Sequence, residues 1–289
     1  MSARPRALLC AIARDEGPYL AEWIAFHLGL GFARIVIYDN ESAEPITPAL
    51  AGEGAGSVEV RPWPSTPGQA PQAPAYEDCL RRDGAAFDWM MFLDIDEFLN
   101  LKRHDTVGDF LADYARYDGV ALNWRIFGSS GLQEADGRRV TERFLLAAPR
   151  RFGPNTAVKT VFKPASVLAA GVHSPTFRLG STLVNTSGRK LDVEPNALQP
   201  RVRFDVAQVN HYFVKSRAEF ARKRARGRAD VAEGEALKHR PEGEFAAYDR
   251  NEVEDASILR LWAVQAGTAP PARRSGASLR RWLMRALGR

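Results

Sequence analysis

The chain has 289 residues, 45% hydrophobic and 26% charged, which is ordinary for a globular protein and enough for one large α/β domain with additions. Its two cysteines, Cys10 and Cys79, exclude a disulfide scaffold and fit a reducing compartment. A net charge of +5 suits an anionic partner, whether a nucleotide diphosphate, a nucleic acid or an anionic lipid surface, without choosing among them.

The first apolar run is broken by Arg14, Asp15 and Glu16, so no signal peptide is expected. No stretch reaches the roughly 18–20 apolar residues that a membrane-spanning helix needs. Residues 6–13, RALLCAIA, are apolar without alternation, the pattern of a strand buried on both faces of a parallel sheet. Residues 18–29 follow as an amphipathic helix with Pro18 in its first turn, and residues 34–38, RIVIY, form a second strand. Strand, helix and strand make a βαβ unit with a right-handed crossover. Residues 58–63 read as a third strand, followed by a Pro-rich loop and a helix over 75–87. The strand at 89–93 runs into carboxylates at its end, and further strands are expected at 119–127, 157–163 and 206–213. Residues 216–228 form a very basic helix opened by a capping box, Ser216 with Glu219. After a linker, the tail 272–289 is a basic amphipathic helix, suited to peripheral attachment to an anionic membrane or to docking on the protein itself.

The chemistry concentrates in LDIDEF, residues 93–98. Asp94 and Asp96 stand two apart at a strand end, where the turning chain brings such a pair together. Hard divalent cations take carboxylate oxygens, and a bound diphosphate completes the shell at many Mg²⁺ sites. The carboxyl ends of parallel strands are where α/β sheets bind ligands. Without the upstream βαβ unit the same residues read as a solvated acidic turn.

The ordered blocks CAIARDEGPYLAEWIAFHLGLGFARIVIYDNES, AYEDCL, DWMMFLDIDEFL, NWRIFGSSG, VKTVFKP, GVHSP and NHYFVKSRAEFARKRARG span about residues 6–228. Together they resemble glycosyltransferases of the family 2 superfamily, closest to the family 92 branch. The resemblance implies an α/β fold of GT-A type: a Rossmann-like, mostly parallel central sheet flanked by helices. It divides the chain into a nucleotide-binding half at about 1–118, an acceptor half at about 119–228, a helical extension with linker at 229–271, and the tail at 272–289. It implies that Ala11, at the end of the first strand, with Arg14, Asp15 and Glu16, lines the nucleotide pocket, and that Asp39 meets the ribose or base. Asp94 and Asp96 become the metal pair, Asp94 also facing the donor, with Glu97 bracing their loop. His211 becomes a further ligand, and its imidazole favours Mn²⁺ over Mg²⁺. Lys215 stabilises the leaving diphosphate. His173 and the loop Gly128–Gly131 shape the acceptor side, and Trp124 and Phe127 offer rings to a sugar or serve the core.

The cluster Arg217, Arg222, Lys223, Arg224, Arg226 and Arg228 reads as a solvated face, a diphosphate clamp or a surface for an anionic acceptor or lipid. No nucleic-acid-binding module accompanies it, so nucleic acid is not an expected partner. The expected reaction is an inverting transfer from a nucleotide-sugar, UDP by superfamily habit, to a glycan or lipid-linked acceptor. Glu142, rather than Glu134, is the expected general base, because no Glu-Asp pair lies between residues 165 and 215. Two other readings remain open: a nucleotidyltransferase, and a non-catalytic nucleotide-sugar or glycan-binding protein. The expected location is cytoplasmic, peripheral on the inner face of the membrane.

Overall fold

In the computed structural model, which describes residues 4–46, 56–192, 198–199, 201–241 and 243–268, β1 (Ala7–Ala13) has all seven side chains buried. Alternate residues of a strand face opposite ways, so both faces of its sheet must be covered. Leu9 and Ala11 join one apolar cluster; Leu8, Cys10 and Ile12 join the other. The unbroken apolar run follows from these two faces.

The chain continues through α1 (Gly17–Gly29), β2 (Arg34–Asp39), β3 (Val58–Pro62) and α2 (Gln72–Asp83) to β4 (Trp89–Phe92) and β5 (Glu97–Leu101). Next come α3 (Val107–Asp113), β6 (Gly119–Ile126), α4 (Val140–Arg143), β7 (Leu146–Ala147) and β8 (Val158–Phe162). A hairpin of β9 (Val167–Ala169) and β10 (Thr176–Phe177) precedes β11 (Leu183–Asn185) and β12 (Ala207–His211). The last elements are α5 (Arg217–Arg226), α6 (Glu244–Tyr248), β13 (Val253–Glu254) and α7 (Leu259–Gln265).

The main sheet has the order β3-β2-β1-β4-β8-β6-β12-β5, with β11 beside the first half of β6. The pairs β3–β2, β2–β1, β1–β4, β6–β11 and β6–β12 are parallel. Strands β8 and β5 run against their neighbours. The predicted mixed α/β architecture with a mostly parallel central sheet is therefore present. Helices α1 and α3 cover one face through Leu20, Trp23, Phe26, Phe110 and Leu111; α2 covers the other through Ala75, Tyr76 and Cys79.

Three details differ from the sequence reading. Helix α2 starts at Gln72 rather than 75, because Pro74 is tolerated in a first turn that needs no N–H there. It stops at Asp83, and a 3₁₀ turn over Gly84–Ala86 carries the chain into β4. The acidic loop also does not trail into a turn: Glu97 opens β5, which pairs antiparallel with β12.

The region after 228 completes the main core. Ile258 and Leu261 join the α1 cluster, and the Trp262 ring lies 5.2 Å from that of Phe26. Buried Arg260 donates to the carbonyls of Leu101 and His104 at 2.9 and 2.7 Å. Among the described residues no helix is long and apolar enough to cross a membrane. The tail 272–289, and the membrane contact expected of it, lie outside the described residues.

Candidate active site

Parallel strands β1, β2 and β4 end on the same side, and a cleft of about 260 Å³ opens there. Its wall takes Ile12 and Ala13 from β1, Arg14 and Glu16 just beyond, Asn40 after β2, and Asp94 and Asp96 after β4. Gln72 at the start of α2, Trp124 from β6 and His211 at the end of β12 complete the inner part. The outer wall is the segment from Lys223 to Tyr248.

Each motif carboxylate is held by a buried or nearly buried lysine. Asp94 Oδ2 accepts from Lys159 Nζ at 3.2 Å, while its Oδ1 accepts from Gln72 Nε2 at 2.6 Å and the Tyr76 hydroxyl at 3.3 Å. Lys159 is fully buried and also meets Glu97 Oε2 at 3.1 Å. Burial opposes its charge, but Asp94 and Glu97 outweigh that and hold its pKa above the usual lysine value. Burial pushes the Glu97 carboxyl up to about 8 against the pull of Lys159, with the two aspartates adding to the rise. Glu97 Oε2 accepts the backbone N–H of Asp94 at 2.9 Å, so this residue braces the loop.

Asp96 Oδ2 accepts from Lys223 Nζ and lies 3.5 Å from His211 Nε2. Burial opposes ionisation of Asp96, yet Lys223 and His211 keep its pKa well below the usual carboxylate value. Burial lowers the pKa of His211 despite Asp96, so the imidazole is neutral at pH 7 and keeps a lone pair. Its Nδ1 and Glu97 Oε1 are buried and unpartnered, 4.0 Å apart.

The structure brings Arg14, Glu16, Asp94, Asp96 and His211 together in the cleft wall, as the sequence places them. Ala11 lies one residue short of the wall, buried in β1. Asp39 does not reach the cleft: its carboxylate accepts the backbone N–H groups of Ser42 and Ile46, and neighbouring Asn40 lines the pocket instead. Lys215 is also outside the wall, its Nζ 4.2 Å from the centre of the Tyr19 ring.

Glu142 sits on α4 away from the cleft, where its carboxylate takes the backbone N–H of Arg139, so it cannot serve a reaction there. Glu134 is likewise absent from the wall. The Gly128–Gly131 loop docks on Asp249 and Asn251 through the N–H groups of Ser129 and Ser130. Phe127 is core; Trp124 and His173 face the cleft.

Of the basic helix, Lys223 and Arg226 are three apart and turn inward together. Arg226 pairs with Glu16 at 2.6 Å and donates to the Arg14 carbonyl at 2.7 Å. Arg228 lines the cleft, Arg224 donates to the Arg240 carbonyl, and Arg222 is exposed. The sequence reading missed Lys159 and the wall from 229 to 248. A lysine inside the otherwise apolar strand pattern VKTVF was the available signal for the first.

Among the described residues no group of three or more His, Cys, Asp or Glu stands close enough to hold a metal together. The donor types still fit a divalent cation: two carboxylates and a neutral imidazole, with Asp96 and His211 already side by side.

A family profile described as "Glycosyltransferase family 92" matches residues 13–224. A glycosyltransferase family 92 protein of Oryza sativa subsp. japonica is 30% identical over 152 residues, 50% of this chain and 25% of that one. Another, of Ricinus communis, is 26% identical over 188 residues, 61% of this chain and 32% of that one. The chain thus spans between a quarter and a third of the length of these relatives. Among solved structures, glucosyl-3-phosphoglycerate synthase from Mycobacterium tuberculosis, in complex with Mn²⁺, UDP-glucose and phosphoglyceric acid, is 17% identical. It covers 92% of this chain and 81% of that one with a TM-score of 0.35, too weak a likeness to carry residue roles across.

Proposed function

We propose that this chain, which belongs to glycosyltransferase family 92, moves a sugar from a nucleotide-diphosphate donor to a hydroxyl of a glycan or lipid-linked acceptor, with inversion. The supporting observation is the convergence of Arg14, Asn40 and Gln72 with Asp94, Asp96 and His211 in one cleft at the carboxyl ends of β1, β2 and β4.

Arg14 has no hydrogen-bond or ion-pair partner for its side chain among the described residues, so its guanidinium is free for a phosphate. Lys223 and Arg226 add positive charge where the diphosphate departs. The Trp124 ring lines the cleft and offers a face to the sugar. Asp96 and His211, with Asp94, are the residues that would hold Mn²⁺ or Mg²⁺, diphosphate oxygens filling the remaining positions. When bound, such an ion offsets charge on the leaving diphosphate. Lys223 occupies Oδ2 of Asp96 here. Burial lowers the Lys223 pKa to about 8 against the pull of Asp96.

The test is product analysis with UDP-, GDP- and CDP-sugars and a panel of glycan acceptors. The expected products are a nucleoside diphosphate and an extended glycan. Release of pyrophosphate from a sugar phosphate and a nucleoside triphosphate would instead indicate nucleotidyl transfer. Tight binding with no product from any donor would make the chain a binding protein.

A further inference from the structure

Inverting transfer needs an acceptor for the hydroxyl proton, and the carboxylates of the cleft are already engaged. Glu16 is tied to Arg226 through Oε1 at 2.6 Å, with its unpartnered Oε2 buried, while Asp94 is tied to Lys159 at 3.2 Å and Asp96 to Lys223. Asp230 is tied to Arg228 at 2.6 Å, and Glu244 faces Arg240 at 3.5 Å. His211 Nε2 faces Asp96 at 3.5 Å, and its Nδ1 is buried against Glu97. His173 is different.

A tight turn from Gly171 to Ser174 presents this histidine. A Cβ at Gly171 would collide with the Ser174 carbonyl oxygen, so the turn requires glycine. The His173 carbonyl accepts the Thr160 N–H at 3.1 Å, and the Trp124 ring lies edge-on at 5.0 Å. His173 Nδ1 lies 3.2 Å from the Val158 carbonyl oxygen. A carbonyl only accepts, so Nδ1 carries the hydrogen and Nε2 keeps its lone pair, in a residue that lines the cleft. Among the described residues Nε2 has no hydrogen-bond partner.

We propose that His173 Nε2 is the general base that takes the proton of the acceptor hydroxyl. The inference rests on the glycosyl-transfer reading. The acceptor oxygen forms its bond to the anomeric carbon, whose bond to the diphosphate oxygen breaks with its electron pair. The hydroxyl proton passes to Nε2, and the imidazolium then returns it to solvent. Burial, helped by the Lys159 ammonium, lowers the His173 pKa to about 4, so the ring is neutral at pH 7.

The test uses H173N, whose amide nitrogen can still donate to the Val158 carbonyl but offers no atom at the Nε2 position. Release of nucleoside diphosphate is measured from the best-bound of the UDP-, GDP- and CDP-sugars. The acceptors are water, which must lose a proton, and azide, which has none to lose. The expected result is a fall of about 100-fold or more with water, azide-supported release within about threefold of wild type, and unchanged nucleotide affinity by calorimetry. Water-supported release within about threefold of wild type overturns the proposal. So does equal loss with water and azide. H173Q decides the matter if H173N fails to bind nucleotide; loss of binding in both variants assigns the residue to the fold and overturns its role as base. If the wild type releases nucleoside diphosphate from none of the donors with water, azide or the panel of glycan acceptors, the transferase reading fails first.

Discussion

Lys159 shows most clearly what a single residue does here. It is fully buried against Asp94 and Glu97, so its ammonium offsets the Asp94 charge in the loop that carries the site, where burial pushes the Glu97 carboxyl up to about 8. Removing one partner of a buried ion pair typically costs about 3–5 kcal/mol. Lys159→Met should therefore lower stability by that order in urea unfolding; a loss under about 1 kcal/mol would show that the loop does not depend on it. A second buried pair lies further out. Glu219 caps its own helix through Ser216 and receives a two-pronged donation from Arg143 at 2.7 and 2.9 Å. Burial opposes its charge, but Arg143 and Ser216 hold its pKa down to about 2 from an ordinary 4.5. A depressed carboxylate stabilises the fold above its unfolded pKa, and that contribution disappears as pH falls from about 4.5 through about 2. Between pH 5 and 3 the melting temperature of Glu219→Gln should fall less steeply than that of wild type. Parallel curves would contradict the pairing. The Ser216–Glu219 cap was legible in the sequence, because three-residue spacing before a helix suffices. Arg143 was not, because it comes from another part of the chain.

At the scale of elements, the β1–α1–β2 unit was fully legible. Its apolar run, Pro18 and the second strand are local signals, and both sheet faces are covered as an apolar run requires. Trp23 joins those signals to tertiary structure: its ring is buried in the α1 cluster and its Nε1 donates to the Glu97 carbonyl at 2.8 Å. Trp23→Ala should cost about 3–5 kcal/mol and loosen the loop carrying Asp94 and Asp96, read as lower thermal stability together with weaker nucleotide binding. Full nucleotide affinity in a destabilised variant would uncouple the helix from the site. β5 was not legible, because its partner β12 lies about a hundred residues downstream and pairing at that distance leaves no local trace. Asp39 illustrates the converse. Its position at a strand end is right for a ligand, but the loop after β2 folds back and uses its oxygens for backbone N–H groups.

For the whole molecule, the cleft is closed by chain that follows the matched family region, residues 13–224. Arg226, Arg228, Lys238 and Arg240 form the outer wall, and α7 then returns to cover α1. A chain cut after residue 228 loses Ile258, Leu261 and Trp262 from the main core and uncovers part of the α1 face. It should bind a hydrophobic dye and melt without a cooperative transition. Wild-type cooperativity in the truncated chain would show that the two parts fold independently. Composition hinted at none of this, since the short elements after residue 228 have apolar faces that make sense only against distant partners: α1, β7 and the cluster of Phe213, Val214 and Phe220.

The most direct measurement is calorimetric titration of UDP, GDP and CDP, each with and without Mn²⁺, into wild type and into Asp94→Ala/Asp96→Ala. Binding of one nucleotide that depends on Mn²⁺ and vanishes in the double variant is the predicted result, and it would also name the donor class. Equal binding with and without the metal, or binding untouched by the double substitution, would contradict a metal–diphosphate site at Asp94 and Asp96.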